Sequence, residues 1–301
     1  MSAAAEILKI QLRAAQAIIS KMDISTCRKM QDTIGKLGAS SMKDKVRFDK
    51  VEDCSFPAEM AVPVDDADVR DGGILYLHGG GYTAGGVEYA RGFGGIMTQL
   101  TGMKTFCIEY RLAPEHPYPA AVEDALEAYL YMLDKFSADK LVVAGDSAGG
   151  GLSFCLMMKL KEMKLPLPAC IVASSPWTDL SMTRSSVEEN GKRDPSLKKE
   201  TLQFYAKLYA KDNDLHEPMI SPIYGDLSYM PPSIIFVGGD EILLDDSKDM
   251  AQKLADAGRE CTLVVDEGMW HVYLLYGVPE SKRALSMMTD YIMEHIAHDE
   301  G

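Results

Sequence analysis

From residue 74 onward the chain alternates short apolar runs with longer amphipathic ones, and that rhythm restricts the fold more than any other feature. Strand-like runs fall at Ile74–Leu77, Thr105–Tyr110, Leu141–Ala144, Cys170–Ser174, Ile234–Val237 and Thr262–Val265. Helical patterns occupy about 88–101, 120–136, 149–163, 246–257 and 281–297. Strand, helix, strand, helix implies an α/β fold, with a mostly parallel central sheet flanked by helices on both faces. Two earlier runs, near 46–52 and 54–62, are expected as antiparallel strands at one edge.

One stretch breaks the rhythm. Almost sixty residues separate the strand ending near Ser175 from that starting at Ile234. They hold a polar loop (Ser181–Asp194), a helix-like run (Leu197–Ala210) and a passage spaced by Pro218, Pro222, Pro231 and Pro232. A stretch that long in a compact domain is a lid or an inserted subdomain. At the N-terminus, Ile7, Leu8, Leu12, Ala15, Ile19 and Met22 form a helical stripe that packs on the protein. Residues 46–179 and 223–301 are therefore assigned to the core. Residues 1–45 and 180–222 are assigned to a helical cap over the C-terminal edge of the sheet.

At 301 residues, 47% apolar and 25% charged, the chain suits one large domain with an insertion. A net charge of −14 repels phosphate backbones and anionic headgroups, which argues against nucleic acid and membrane surfaces as partners. No apolar run approaches the ~20 residues of a membrane span. Glu6, Lys9 and Arg13 interrupt what a signal peptide would need unbroken. The six cysteines make no C-x-x-C pair and no metal spacing. Free thiols in a reducing cytoplasm are expected, with no metal and no cofactor.

Gly145-Asp146-Ser147-Ala148-Gly149 is a G-x-S-x-G motif set between a strand-like run and a helical one. That is the setting of a nucleophile elbow, whose sharp turn requires glycines beside the serine. A serine hydroxyl needs a base to take its proton. Of six histidines, His295 and His298 lie in the tail, His216 in the cap segment and His116 among prolines. His78 belongs to a glycine loop, whereas His271 follows the last strand, where such a fold places its base. The carboxylate orienting that base falls between serine and histidine in chain order. Asp240 meets this at the tip of a strand, in preference to Glu241, Asp245 and Asp246, which are better placed to start the next helix. His78-Gly79-Gly80-Gly81 follows Ile74–Leu77, and its backbone N–H groups, with that of Ala148, suit an oxyanion hole. His78 and Gly79 are expected to support the loop.

The same glycines admit a competing reading. Gly79-Gly80-Gly81-Tyr82-Thr83-Ala84 satisfies G-x-G-x-x-G/A, and Glu109 ends the next strand roughly where a ribose-binding acid would sit. A dinucleotide-binding oxidoreductase would need this loop to open directly into a helix, but Tyr82–Gly86 reads as more loop.

Taken in order, these pieces resemble the hormone-sensitive-lipase-like branch of the α/β-hydrolase fold, bacterial lipolytic family IV. The matching residues are His78-Gly79-Gly80-Gly81-Tyr82, Tyr110-Arg111-Leu112-Ala113-Pro114-Glu115 and Gly145-Asp146-Ser147-Ala148-Gly149-Gly150. Ser175-Pro176-Trp177-Thr178-Asp179-Leu180 and Gly268-Met269-Trp270-His271 continue the series. The resemblance implies a serine carboxylesterase of short- to medium-chain esters that acts through an acyl-enzyme. It also implies oxyanion donors at Gly80, Gly81 and Ala148 and a cap of the kind assigned above. Relatives often form homodimers through the last strand and helix, but nothing in Thr262–Val265 or 281–297 decides between monomer and homodimer here. Two departures stand out. The family's Asp-Pro-Leu is here Asp240-Glu241-Ile242-Leu243, which makes Glu241 a second candidate acid, and Tyr273 replaces a common Phe. Relatives that bind a ligand but lack the catalytic histidine supply the alternative of a non-catalytic binding protein.

Overall fold

The computed structural model describes residues 1–296, so His298 lies outside the described residues. An eight-stranded sheet forms the centre. Its strands are β1 (Val46–Val51), β2 (Ala58–Pro63), β3 (Gly73–Leu77), β4 (Lys104–Ile108), β5 (Leu141–Asp146), β6 (Cys170–Ser174), β7 (Ser233–Gly238) and β8 (Cys261–Asp266). They run in the order β1-β2-β4-β3-β5-β6-β7-β8. β1 and β2 pair antiparallel, β2 joins β4 antiparallel, and every later pairing is parallel.

The apolar runs are continuous because both faces of these strands are covered. Leu75, Leu77, Phe106, Val143 and Ile171 face α4 (Ala120–Leu133), α5 (Ala148–Glu162) and α8 (Leu244–Asp256). Their neighbours Ile74, Tyr76, Cys107, Val142 and Val172 face α3 (Val87–Thr101) and α9 (Pro279–His295). The period of two thus sorts one run of sequence between two cores.

The N-terminal stripe forms α1 (Ala3–Ile19), and a second helix, α2 (Ile24–Ser41), follows it. Ser2 and Asp23 cap the two helices through their side chains. Ala5 and Gln16 of α1 are buried, but Ile7, expected in the packed stripe, is 60% exposed. The long interruption contains α6 (Ser185–Glu189) and α7 (Lys199–Ala210). No helix among the described residues is long and apolar enough to cross a membrane.

Candidate active site

The C-terminal ends of β3, β5, β6, β7 and β8 bring five loops to one edge of the sheet. This is where open α/β sheets bind ligands. At the end of β5, Ser147 turns the chain into α5 with φ 52° and ψ −121°. Its flanks must be glycine. A β-carbon on Gly145 would sit 2.3 Å from Gly149 O, and one on Gly149 2.0 Å from Leu77 O. The turn is pinned by Ser147 N–H donating to Ser174 O (2.9 Å) and by Trp177 N–H donating to Ser147 O (2.9 Å).

His271 Nε2 lies 2.8 Å from Ser147 Oγ, and its Nδ1 lies 2.7 Å from Glu241 Oε2. An ionised carboxylate only accepts, so Nδ1 carries the proton and Nε2 is left to accept from the serine hydroxyl. All three residues are buried. Glu241 is itself held, its Oε1 accepting from Ser175 Oγ and from Gly238 N–H, both at 2.7 Å. Ser175 Oγ also accepts from Val272 N–H at 3.0 Å. One hydroxyl at the end of β6 therefore ties the acid loop to the histidine loop.

The expectation that Asp240 would orient the histidine is corrected here. Its carboxylate carries Lys9 of α1 on Oδ2 and Arg193 on Oδ1. Lys9 also donates to Gly268 O at 2.9 Å. Beyond Gly238 the chain turns sharply, so adjacent side chains point to different places. Glu241 folds back on the strand end, and Asp240 reaches the N-terminal helix.

The glycine loop after β3 faces the elbow. Gly80 and Gly81 adopt φ of +118° and +62°, conformations that favour glycine. The N–H groups of Gly80, Gly81 and Ala148 meet no acceptor among the described residues. Asp146, beside the serine, accepts from Gly79 N–H (2.8 Å) and Tyr76 O–H (2.6 Å), which locks this loop to the elbow. A β-carbon on Gly79 would come within 2.2 Å of that carboxylate. His78 is buried, stacks on Tyr110 with ring centres 4.2 Å apart, and places Nδ1 2.7 Å from Gly79 O. Burial lowers its pKa to about 4, so it stays neutral.

The competing dinucleotide reading fails on the same loop. The helix begins only at Val87, behind Gly86, and Glu109 Oε2 accepts from Val87 N–H at 3.1 Å. Glu109 is thus a cap for α3 rather than a ribose ligand.

Residues 74–275 match the family described as the alpha/beta hydrolase fold. The chain belongs to that family, in its hormone-sensitive-lipase-like branch. Among solved structures, this hydrolase superposes on an esterase from the bacterial hormone-sensitive lipase family with TM-score 0.91 and 31% identity. That match covers 99% of this chain and 100% of the other. It is 36% identical to an acetyl-hydrolase of Streptomyces hygroscopicus over 71% of this chain and 73% of the relative. An ethyl acetate hydrolase of Pseudomonas putida is 30% identical over 78% and 76%.

In this α/β-hydrolase a cavity of about 410 Å³ opens over Ser147 and His271. Its far wall is built by Leu12, Ile19, Met30 and Ile34 of the first two helices and by Leu202 and Tyr205 of α7. Side chains tie this wall to the inserted segment and to the loop after β3. Gln16 donates to Leu197 O at 2.9 Å, and Arg28 Nε donates to Thr83 O at 2.8 Å. Sequence reasoning missed the role of Ser175. Its only signal was membership of the Ser175-Pro176-Trp177 string.

Burial disfavours the imidazolium of His271, but the hydrogen bond and the charge of Glu241 outweigh it, and the pKa is raised above 6.5. A histidine acting as base must be neutral, so a raised pKa narrows the active range from the acid side. We expect kcat/KM to fall as pH drops through a value above about 6.5. Glu241→Gln removes the main upward influence and should move that limb to lower pH. A limb unmoved by the substitution, in a pH–rate profile of the residual activity, would contradict the pairing.

Proposed function

We propose that the protein is a serine carboxylesterase in which Ser147 is the nucleophile, His271 the general base and Glu241 the acid that orients it. The observation that carries this reading is the continuous Glu241–His271–Ser147 hydrogen-bond chain at the floor of an apolar cavity. His271 takes the Ser147 proton as Oγ attacks the ester carbonyl. The N–H groups of Gly80, Gly81 and Ala148 then receive the oxyanion, supported by the N-terminal end of α5. His271 returns the proton to the leaving alkoxide. Water, activated by the same histidine, cleaves the acyl-enzyme.

Residues 1–45 and 180–222 act as the cap in this scheme, because their side chains supply the wall opposite the serine. A cavity of about 410 Å³ is small for a ligand site, near the lower end of a range of roughly 300–1,000 Å³. It favours short and medium acyl chains. The names of the acetyl-hydrolase and ethyl acetate hydrolase relatives agree with that size. The six cysteines are unpaired, in keeping with a reducing cytoplasm. The non-catalytic alternative is disfavoured because both serine and histidine are present and within hydrogen-bond distance.

The test is hydrolysis of p-nitrophenyl esters from acetate to palmitate. Turnover is expected to peak between the two- and six-carbon acyl groups and to be lost for palmitate. Folded protein that cleaved none of the series would overturn the esterase reading. A maximum at palmitate would overturn the pocket size.

A further inference from the structure

The cavity over Ser147 is walled mainly by apolar side chains, yet two glutamines stand among them. Gln16 is buried, and its Nε2 is engaged by Leu197 O, which leaves Oε1 without a partner among the described residues. Gln31 Oε1 is a buried atom with no hydrogen-bond partner among the described residues. It lies beside the glycine loop, where a β-carbon on Gly80 would come within 3.3 Å of it. The Gln31 amide is therefore a neighbour of the proposed oxyanion site and not part of the distant cavity wall.

A polar atom in that position has a consequence for binding. It is closed off from solvent and unpaired even while the cavity is free, and a buried acceptor left in that state carries a cost that a donor on a ligand would relieve. An apolar substrate would leave the amide unpaired and desolvated, which is costly. A substrate with a hydroxyl at that point would supply the missing bond. A hydroxyl both donates and accepts, so it serves whichever way the amide is turned.

We infer that the enzyme prefers esters carrying a hydroxyl close to the scissile carbonyl, and that Gln31 is the side chain that reads it. This rests on the esterase reading above and names its substrate class. Nothing in the proposed chemistry requires Gln31, so it is a specificity residue.

Two isosteric pairs test it. In 2-hydroxyethyl butyrate against propyl butyrate, a hydroxyl replaces a methyl on the alcohol side. In ethyl 3-hydroxybutyrate against ethyl 3-methylbutyrate, the exchange is on the acyl side. kcat/KM is measured for all four with the wild-type protein and with Gln31→Met, which keeps length and helix preference but removes the amide. Intrinsic reactivity cancels when the hydroxyl-to-methyl ratio is compared between the two proteins. We expect the wild type to favour the hydroxyl member in at least one pair, and Gln31→Met to lower that ratio about tenfold. The apolar member of the pair should react as fast as before or faster, which also shows that the variant is folded. Equal ratios in the two proteins for both pairs would overturn the inference. A wild-type protein that cleaves none of the four would instead overturn the esterase reading.

Discussion

Ser147→Ala is expected to lower kcat for p-nitrophenyl butyrate by about 10⁴-fold or more, equivalent to roughly 5.5 kcal/mol of transition-state stabilisation. The loss is large because in the proposed mechanism the side chain forms the covalent bond, and its one activating contact among the described residues is the 2.8 Å hydrogen bond from Ser147 Oγ to His271 Nε2. Everything else would survive. The elbow is held by backbone bonds from Ser147 N–H to Ser174 O and from Trp177 N–H to Ser147 O, which alanine also makes. The glycine-loop amides and the cavity are untouched as well. Residual rate above the uncatalysed reaction should therefore remain, carried by the oxyanion donors and by binding. The variant should melt within a degree or two of wild type, since among the described residues the hydroxyl bonds only to the histidine. Activity above about one per cent of wild type, with a normal melting curve, would remove Ser147 from the nucleophile's position.

The sheet was legible because its strands are buried on both faces and so appear as unbroken apolar runs between helical patterns. The elbow was legible for a different reason. Steric exclusion at Gly145 and Gly149 leaves a mark in the sequence itself, since no other residue fits. What escaped depended on tertiary contacts. α2 was not marked out as an element within the stretch assigned to the helical cap; its Gly35 lets the helix approach α3 so closely that a β-carbon would lie 2.1 Å from Glu88 O. Helix propensity lost there to packing. Ser175 escaped because it matters only where three loops meet. The carboxylate paired with His271 lies one residue beyond the expected one because side-chain direction in a tight turn is set by backbone angles that a strand-tip pattern does not carry.

That one-residue displacement yields the second large effect. Glu241→Gln is expected to lower kcat by about 10³- to 10⁴-fold, in line with the loss when a triad carboxylate becomes an amide elsewhere. The surroundings of Glu241 explain why the exchange is so damaging. Its Oε1 accepts from both Ser175 O–H and Gly238 N–H. In the amide variant those donors require the carbonyl oxygen, so the NH₂ group is turned toward His271 Nδ1. Nδ1 must then accept, the ring proton moves to Nε2, and the histidine can no longer take the proton of Ser147. Asp240→Asn should behave otherwise. Asp240 touches neither Ser147 nor His271, but it neutralises Lys9 and Arg193 from a nearly buried position. Its replacement should cost about 2 kcal/mol of stability, seen as a lower melting temperature, because Lys9 loses its counter-charge in a site only 13% exposed. Turnover should stay within about tenfold of wild type. The two variants thus separate by measurement, one failing in kcat with an ordinary melting curve and the other melting early with most of its kcat. The opposite pattern would return the orienting role to Asp240 and leave Glu241 as a structural anchor for Ser175.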